Sequence, residues 1–154
     1  MRNKLEYYSV RGEIQLLVKS YLNEREQYVN FCGYVSTHEK IYGGVPQRSF
    51  IGPLLFLIHI NDLQNNTSLK VINFADDTLL YKTFNKNTYL QDSDNLNFEL
   101  QKVSSWLEEN KLKLNIGKTK SILFHPLKTT FWKSIRFCVK IGKTIVKMVK
   151  SYKY

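Results

Sequence analysis

Residues 71–81 read VINFADDTLLY, two short apolar runs around the adjacent acids Asp76 and Asp77. LKVINFA and TLLYKTF are rich in Ile, Val, Leu and Phe and have strand length. Aspartate favours tight turns because its carboxylate bonds nearby backbone N–H groups. The stretch therefore predicts a β-hairpin with the acid pair at its turn. Two readings of that pair stand open. It is either a solvated turn or part of a metal site, since hard Mg²⁺ takes carboxylate oxygens at about 2.0–2.1 Å together with substrate phosphates. Two such ions, roughly 3.5–4 Å apart, stabilise the attacking and leaving oxygens of phosphoryl transfer.

The flanking sequence alternates helix and strand signals. Residues 2–23 predict two amphipathic helical pieces separated near Gly12, with Leu5 and Tyr8 on one face and Ile14, Leu17, Val18 and Tyr21 on the next. QYVNFCG and YVSTHEKIYGG predict a strand pair turning around Gly33. Beyond GVPQ, Ser49 is placed to cap a largely buried helix whose Leu54, Leu57, Ile58 and Leu63 face a core, with Pro53 tolerated in its first turn. From Thr88 to Asn110, Leu96, Leu100, Val103 and Leu107 recur at helical spacing, and Thr88 with Gln91 has the spacing of a capping box. KSILFHP, SIRFCVKIG and TIVKMVKSYKY predict short strands with lysines outward. The order is that of one α+β domain over residues 1–154, with helices on one face of an antiparallel sheet.

Composition bounds the partners. The chain of 154 residues is 43% hydrophobic and 14% aromatic, enough for one core and against a disordered chain. The longest apolar stretch, FIGPLLFLIHI at 50–60, is well short of the roughly 20 residues that span a bilayer, so no membrane partner is expected. Cys32 and Cys138 are far apart, form no CxxC pair and follow no signal peptide, so reduced thiols and an intracellular protein, cytoplasmic or nuclear and not secreted, are expected. Net charge is +10, unevenly spread: residues 1–110 hold 11 Lys and Arg against 13 acids, whereas 111–154 hold 12 and no acid. That asymmetry, with Phe124, Phe131, Trp132, Phe137, Tyr152 and Tyr154 interleaved, suits a nucleic-acid surface as well as a solvated lysine-rich face.

Taken in order, GVPQRSFIGPLLFLIHINDL (44–63), FADDTLLY (74–81) and WLEENKLKLNIGKTKSILF (106–124) resemble the palm of reverse transcriptases from non-LTR retrotransposons of the LINE or jockey-like kind. KLEYYSVRGEIQLLVKSYLNEREQYV and VKIGKTIVKMVKSYKY resemble the flanking segments, so the resemblance covers essentially the whole chain. It implies RNA-directed DNA polymerase chemistry: Mg²⁺-dependent nucleotidyl transfer from a dNTP to a DNA primer on an RNA template, with no small-molecule cofactor. By resemblance Asp76 and Asp77 are the catalytic, metal-binding acids. Gly44, Val45, Pro46 and Gln47 lie against template and incoming nucleotide, and Lys118 acts near the leaving pyrophosphate. As plain residues, Gly44 and Pro46 would shape a turn and Lys118 would be a solvated lysine.

The sequence also departs from that family. The resemblance implies another metal-binding aspartate on a strand ahead of the first helix, but the first aspartate here is Asp62. The expected fold is thus an incomplete palm, lacking fingers, first catalytic strand and thumb, with an unpaired sheet edge and an uncovered apolar face. Arg48, the last residue of this nucleotide- and template-binding loop, stands where the family has glycine after Pro-Gln, a position that suggests φ > 0 or close backbone approach; its side chain fills that space or swings out to bind phosphate itself. The expectation is an isolated chain that does not polymerise. The alternatives are a non-catalytic nucleic-acid-binding remnant gripping phosphates through the segment after Lys111, or a decayed fragment without function.

Overall fold

A computed structural model describes residues 2–85, 87–125 and 138–150. The chain divides into two compact units, 1–62 and 63–154, joined through a 3₁₀ helix over Asn61–Asn66.

The first unit begins with helices α1 (Arg2–Tyr7) and α2 (Glu13–Leu22). They break at Gly12, whose φ of +64° an L-residue rarely adopts. The next segment is a long, irregular hairpin. Its inner rungs pair β2 (Asn30–Phe31) with β3 (Tyr34–Val35), and its base pairs β1 (Glu26–Gln27) with β4 (Glu39–Lys40). The tip is Cys32-Gly33, both with positive φ, which matches the right-handed strand twist of a two-residue turn. The strand pair around Gly33 is thus as the sequence predicts. Helix α3 (Gly52–Ile60) follows, and Leu5, Val18 and Leu55 form the unit's core with Val10, Val45, Ile51 and Ile58 packed against them. Lys4 bridges to Asp62 at 2.9 Å and donates to the His59 carbonyl at 2.9 Å, anchoring α1 at the end of α3.

Two expected faces are corrected. Of the face expected on α2, Val18 is buried and Tyr21 packs against the core, but Ile14 and Leu17 are exposed. On α3 the buried positions are Leu55 and Ile60, whereas Leu54 and Leu57 are exposed. The segment GPLLFLIHI is apolar all round, so its sequence does not select the face that packs.

The second unit is organised by α4 (Tyr89–Glu109). Leu100 and Val103 are buried on it as the periodicity predicts, joined by Trp106. The hairpin of β5 (Lys70–Phe74) and β6 (Asp77–Tyr81) has five rungs, from Lys70 opposite Tyr81 to Phe74 opposite Asp77. A second hairpin, β8 (Lys140–Ile141) with β9 (Thr144–Ile145), packs on α4. Leu69, Leu100, Val139 and Val146 form the core, with Leu80, Leu96 and Ile141 against it. The side chain of Asn97 fixes the second hairpin to the helix: it donates to the Cys138 carbonyl at 3.1 Å and accepts from the Lys140 N–H at 2.8 Å.

The α+β character holds, but the single antiparallel sheet with helices on one face does not form among the described residues. The strands make five separate two-stranded ladders, four antiparallel and one, β7 (Lys120–Ser121) with β10 (Lys147–Met148), parallel. Eight of the ten are two residues long. Among the described residues, KSILFHP is strand at Lys120–Ser121 and TIVKMVKSYKY at Thr144–Ile145 and Lys147–Met148, while Pro126, residues 134–137 of SIRFCVKIG and residues 151–154, with Phe131 and Trp132, lie outside the described residues. The capping box at Thr88 is also absent. Thr88 stands at the N-cap position, but its hydroxyl donates to the Asp92 carboxylate at 2.8 Å and makes no capping bond to the helix.

Candidate functional site

The candidate residues fall into both units. In the second, the β5–β6 ladder carries the acids at its tip. The turn itself is Ala75-Asp76, and Asp77 forms the first rung of β6 opposite Phe74. The acid pair therefore straddles the end of the turn where the sequence predicts it wholly inside. Both carboxylate residues are exposed. Ala75 holds φ at +52°, a conformation that costs an L-residue roughly 1 kcal/mol. One rung further, Thr78 donates its hydroxyl to the Asn73 side-chain oxygen at 3.0 Å and braces the tip across the strands.

Register sorts the hairpin's two faces. Directly opposed residues of an antiparallel pair share a side, and sides alternate along each strand. Val71 and Leu80 turn toward the core. Ile72 and Leu79, then Phe74 and Asp77, share the other face and are exposed. Phe74 is 81% exposed. The base of the hairpin is tied to α4 by Lys82, which bridges to Asp92 at 3.5 Å and donates to the Asn95 side-chain oxygen at 2.5 Å. The neighbouring Thr88 hydroxyl and Asn85 N–H, and then the Lys82 charge, hold the Asp92 carboxyl below the usual carboxylate range. Lys82 also donates to the Asp92 carbonyl, so the strand leaving the acidic tip is clamped at three points.

Glu99 makes a second clamp on α4. It is a charged group only 3% exposed. Its carboxylate accepts from the Ser68 N–H at 2.6 Å and the Thr67 hydroxyl at 2.9 Å, and pairs with Lys102 at 2.7 Å. Lys102 first, then the Ser68 N–H, pull its pKa from 4.5 to about 2 against the opposing effect of burial. The loop that enters β5 is thereby held to the helix.

Lys118 sits on a turn after α4, in the unit that carries the acids. Its backbone N–H donates to both oxygens of Asn115, at 3.1 Å to the carbonyl and 3.2 Å to the side chain, and its own side chain is exposed.

In the first unit, Gly44, Val45, Pro46, Gln47 and Arg48 form the loop into α3. Gly44 has φ of +78° and Arg48 has φ of +58°, so Arg48 takes the left-handed conformation that glycine adopts without strain. Its side chain, like that of Gln47, is exposed. Val45 packs on the core of the unit. The N-cap position of α3 is Ile51 and not Ser49 as expected; Ser49 stands two residues earlier, its hydroxyl oxygen accepting from the Gly52 N–H at 3.1 Å while donating to the Pro46 carbonyl at 2.6 Å. A Cβ at Gly52 would collide with the Ser49 hydroxyl oxygen.

The sequence reading misses the residues that hold these loops. Arg25 donates to the Gly44 carbonyl at 2.6 Å, and Asn97, Lys82 and Glu99 act similarly in the second unit. No local spacing signals such bonds, because Arg25 and Gly44 are 19 positions apart and Asn97 and Cys138 are 41.

The donor set suits Mg²⁺ in part. Two exposed adjacent carboxylates are the kind of ligand Mg²⁺ uses when substrate phosphates and water complete its shell. No group of three or more His, Cys, Asp and Glu occurs among the described residues, so they do not by themselves make a two-metal cage. No described helix is long and apolar enough to cross a membrane. Cys32 and Cys138 are free thiols.

Comparison with known proteins gives these residues a context. The family described as Reverse transcriptase (RNA-dependent DNA polymerase) matches residues 3–153. The RNA-directed DNA polymerase from mobile element jockey of Drosophila melanogaster is 28% identical over 120 residues, 73% of this chain and 13% of that protein. The probable RNA-directed DNA polymerase from transposon X-element of the same species is 30% identical over 113 residues, 70% of this chain and 12% of that protein. The jockey polymerase of Drosophila funebris is 28% identical over 148 residues, 90% of this chain and 15% of that protein. The chain thus spans about an eighth to a seventh of the length of these relatives. No solved structure matches. With the match running over nearly every residue, and with relatives from non-LTR elements, the chain belongs to the reverse transcriptase (RNA-dependent DNA polymerase) family.

Proposed function

We propose that the chain is the palm portion of an RNA-directed DNA polymerase, working inside the cell on an RNA template, a DNA primer and dNTPs. The observation that carries this reading is the acidic tip: Asp76 in a two-residue turn and Asp77 on the first rung of a five-rung hairpin, in a chain of this family. In that role Asp76 and Asp77 would hold Mg²⁺, which when bound offsets the charge developing on the attacking and leaving oxygens. The rigid ladder behind them, braced by the Asn73–Thr78 bond and the Lys82 clamp, limits the reorganisation needed to hold that charge. Lys118 supplies positive charge toward the leaving pyrophosphate. The Gly44–Arg48 loop, anchored through the Arg25 bond to Gly44, lies against template and nucleotide.

The isolated chain does not polymerise in this reading, because Asp76 and Asp77 lack a third carboxylate among the described residues and Arg48 fills the place of a glycine. Primer extension on poly(rA)/oligo(dT) with Mg²⁺ tests it: no product above the Asp76→Ala background is expected, and product above it overturns the claim of inactivity. The palm role is tested in a chimera. Residues 3–153, with Arg48→Gly, would replace the matching segment of the Drosophila jockey polymerase. Extension abolished by Asp76→Ala supports the reading, and a folded but inactive chimera refutes it.

A further inference from the structure

We propose that the outer edge of β6 is a self-association surface, where a second copy of this chain adds its own β6 antiparallel, in a register centred on Leu79. Among the described residues β6 is paired on one side alone, with β5. The two-residue turn closes on Phe74 and Asp77, which makes that rung hydrogen-bonded. By the alternation of an antiparallel ladder, the backbone N–H and C=O of Thr78 and Leu80 then point away from β5. Among the described residues neither takes part in a backbone bond outside the ladder. Edge strands that stay single are guarded by proline, a bulge or a lysine. The sequence DTLLY has no proline and no lysine, and its one charge is on its first residue.

The edge is complementary to itself. Antiparallel pairing about Leu79 sets Thr78 opposite Leu80 of the second copy, so the outward groups of each strand meet those of the other. The same register sets Asp77 opposite Tyr81 and Asp76 level with Lys82, so an acid meets a base at both ends of the pair. Lys70 lies 5.7 Å over the Tyr81 ring and brings a further positive charge near the position that Asp77 would take. On the face turned from the core, Leu79 would pack on Leu79 of the second copy with Ile72 continuing the stripe on either side, covering residues that are 46% and 53% exposed. The β5 edge has no such match: centred on Ile72 it sets Lys70 opposite Phe74, and Ser68 ahead of it is held to Glu99. An unrelated strand would satisfy the backbone groups but not the opposed charges. The pairing stands on register, exposure and charge, apart from the polymerase reading.

Sedimentation velocity of the full chain tests the surface: the mass should rise with concentration toward twice that of one chain, and a chain that stays monomeric throughout overturns the proposal. A cysteine trap tests the register, in a background carrying Cys32→Ser and Cys138→Ser. Opposed residues of a non-hydrogen-bonded pair have Cα atoms about 4.5 Å apart, within disulfide reach. Leu79→Cys should therefore crosslink into a dimer on mild oxidation, whereas Ile72→Cys, on the same face but one strand inward, should not. Equal crosslinking of the two, or none with Leu79→Cys, overturns the proposal. Mixing tests the charges. Asp76→Lys and Lys82→Asp should each weaken self-association about tenfold, because each places like charges at both ends of the pair. Mixed together they should form a heterodimer near the wild-type affinity, since both ends then join opposite charges. A mixture that associates no more tightly than the single variants overturns the proposal. Lys82→Asp also removes the bridge to Asp92, whereas Leu79→Cys leaves that bridge in place, so the trap decides the case where the charge variant does not fold.

Discussion

Glu99 and Lys102 stand one helical turn apart on α4 with their charges 2.7 Å from each other, yet the carboxylate is buried and spends its second oxygen on the Ser68 N–H and Thr67 hydroxyl. One side chain therefore joins the helix to the loop that starts the acidic hairpin. Its carboxyl titrates at about 2 when folded and at 4.5 ordinarily. A depressed folded pKa means stability that is fully present above the ordinary value and is lost as pH falls through 4.5 toward 2. The full shift corresponds to about 3 kcal/mol, and the half-exposed Lys102 screens part of it, leaving on the order of 2 kcal/mol. Glu99→Gln should destabilise the second unit by about that amount at pH 7 and flatten its acid limb, as measured by chemical denaturation across pH.

The loop before α3 offers a change in the opposite direction. Arg48 holds φ at +58° with an exposed side chain, so it bears left-handed strain without a packing contact to set against it. Arg48→Gly should raise stability by roughly 0.5–1 kcal/mol, seen as a higher denaturant midpoint with an unchanged m-value. Arg48→Ala keeps the Cβ and the strain, and should leave the midpoint near wild type. A matching gain from Arg48→Ala would assign the effect to charge instead.

These two positions show what the sequence made legible. Arg48 is readable through the resemblance, since it stands where the family has glycine after Pro-Gln. The long helix is readable because Leu96, Leu100, Val103 and Leu107 repeat at its own period, and the hairpin tips because Gly33 and the acid pair punctuate apolar runs. The face of α3 is not readable, as an all-apolar segment gives no contrast between Leu54 and Leu55. Nor are the bonds from Arg25 to Gly44, from Ser68 to Glu99 and from Lys140 to Asn97, which join positions 19 to 43 apart and leave no local spacing to detect. Sheet assembly is the same kind of problem: each short strand shows its own alternation, and the choice of partner depends on tertiary contacts.

At the acidic tip, Ala75 carries φ of +52° in the two-residue turn ahead of Asp77. Glycine is the residue that takes this position at no steric cost. Ala75→Gly should stabilise the second unit by about 0.5–1 kcal/mol once the greater freedom of the unfolded glycine is subtracted, and Ala75→Val should destabilise it by about 1–2 kcal/mol. Neither change touches a carboxylate. Thermal melts of the two variants check the ordering, and a stabilising valine would contradict the turn geometry.

Gly52 and Ser49 supply a coupled test in the loop that the candidate nucleotide-binding residues occupy. The Ser49 hydroxyl occupies the space a Cβ at Gly52 would need, and the Pro46 carbonyl lies 3.3 Å from that Cβ position. The same hydroxyl accepts from the Gly52 N–H and donates to the Pro46 carbonyl, so any shift of Ser49 breaks both bonds. Gly52→Ala should therefore cost about 2 kcal/mol despite alanine's better helix propensity, and Ser49→Ala should cost about 1 kcal/mol through the lost hydroxyl hydrogen bonds. The double variant removes the colliding oxygen. Its cost should fall below the sum of the two by roughly 1 kcal/mol, the interaction expected of residues sharing one space. Denaturation of all four proteins measures that difference, and strict additivity would show that the Ser49 hydroxyl does not decide why position 52 is glycine.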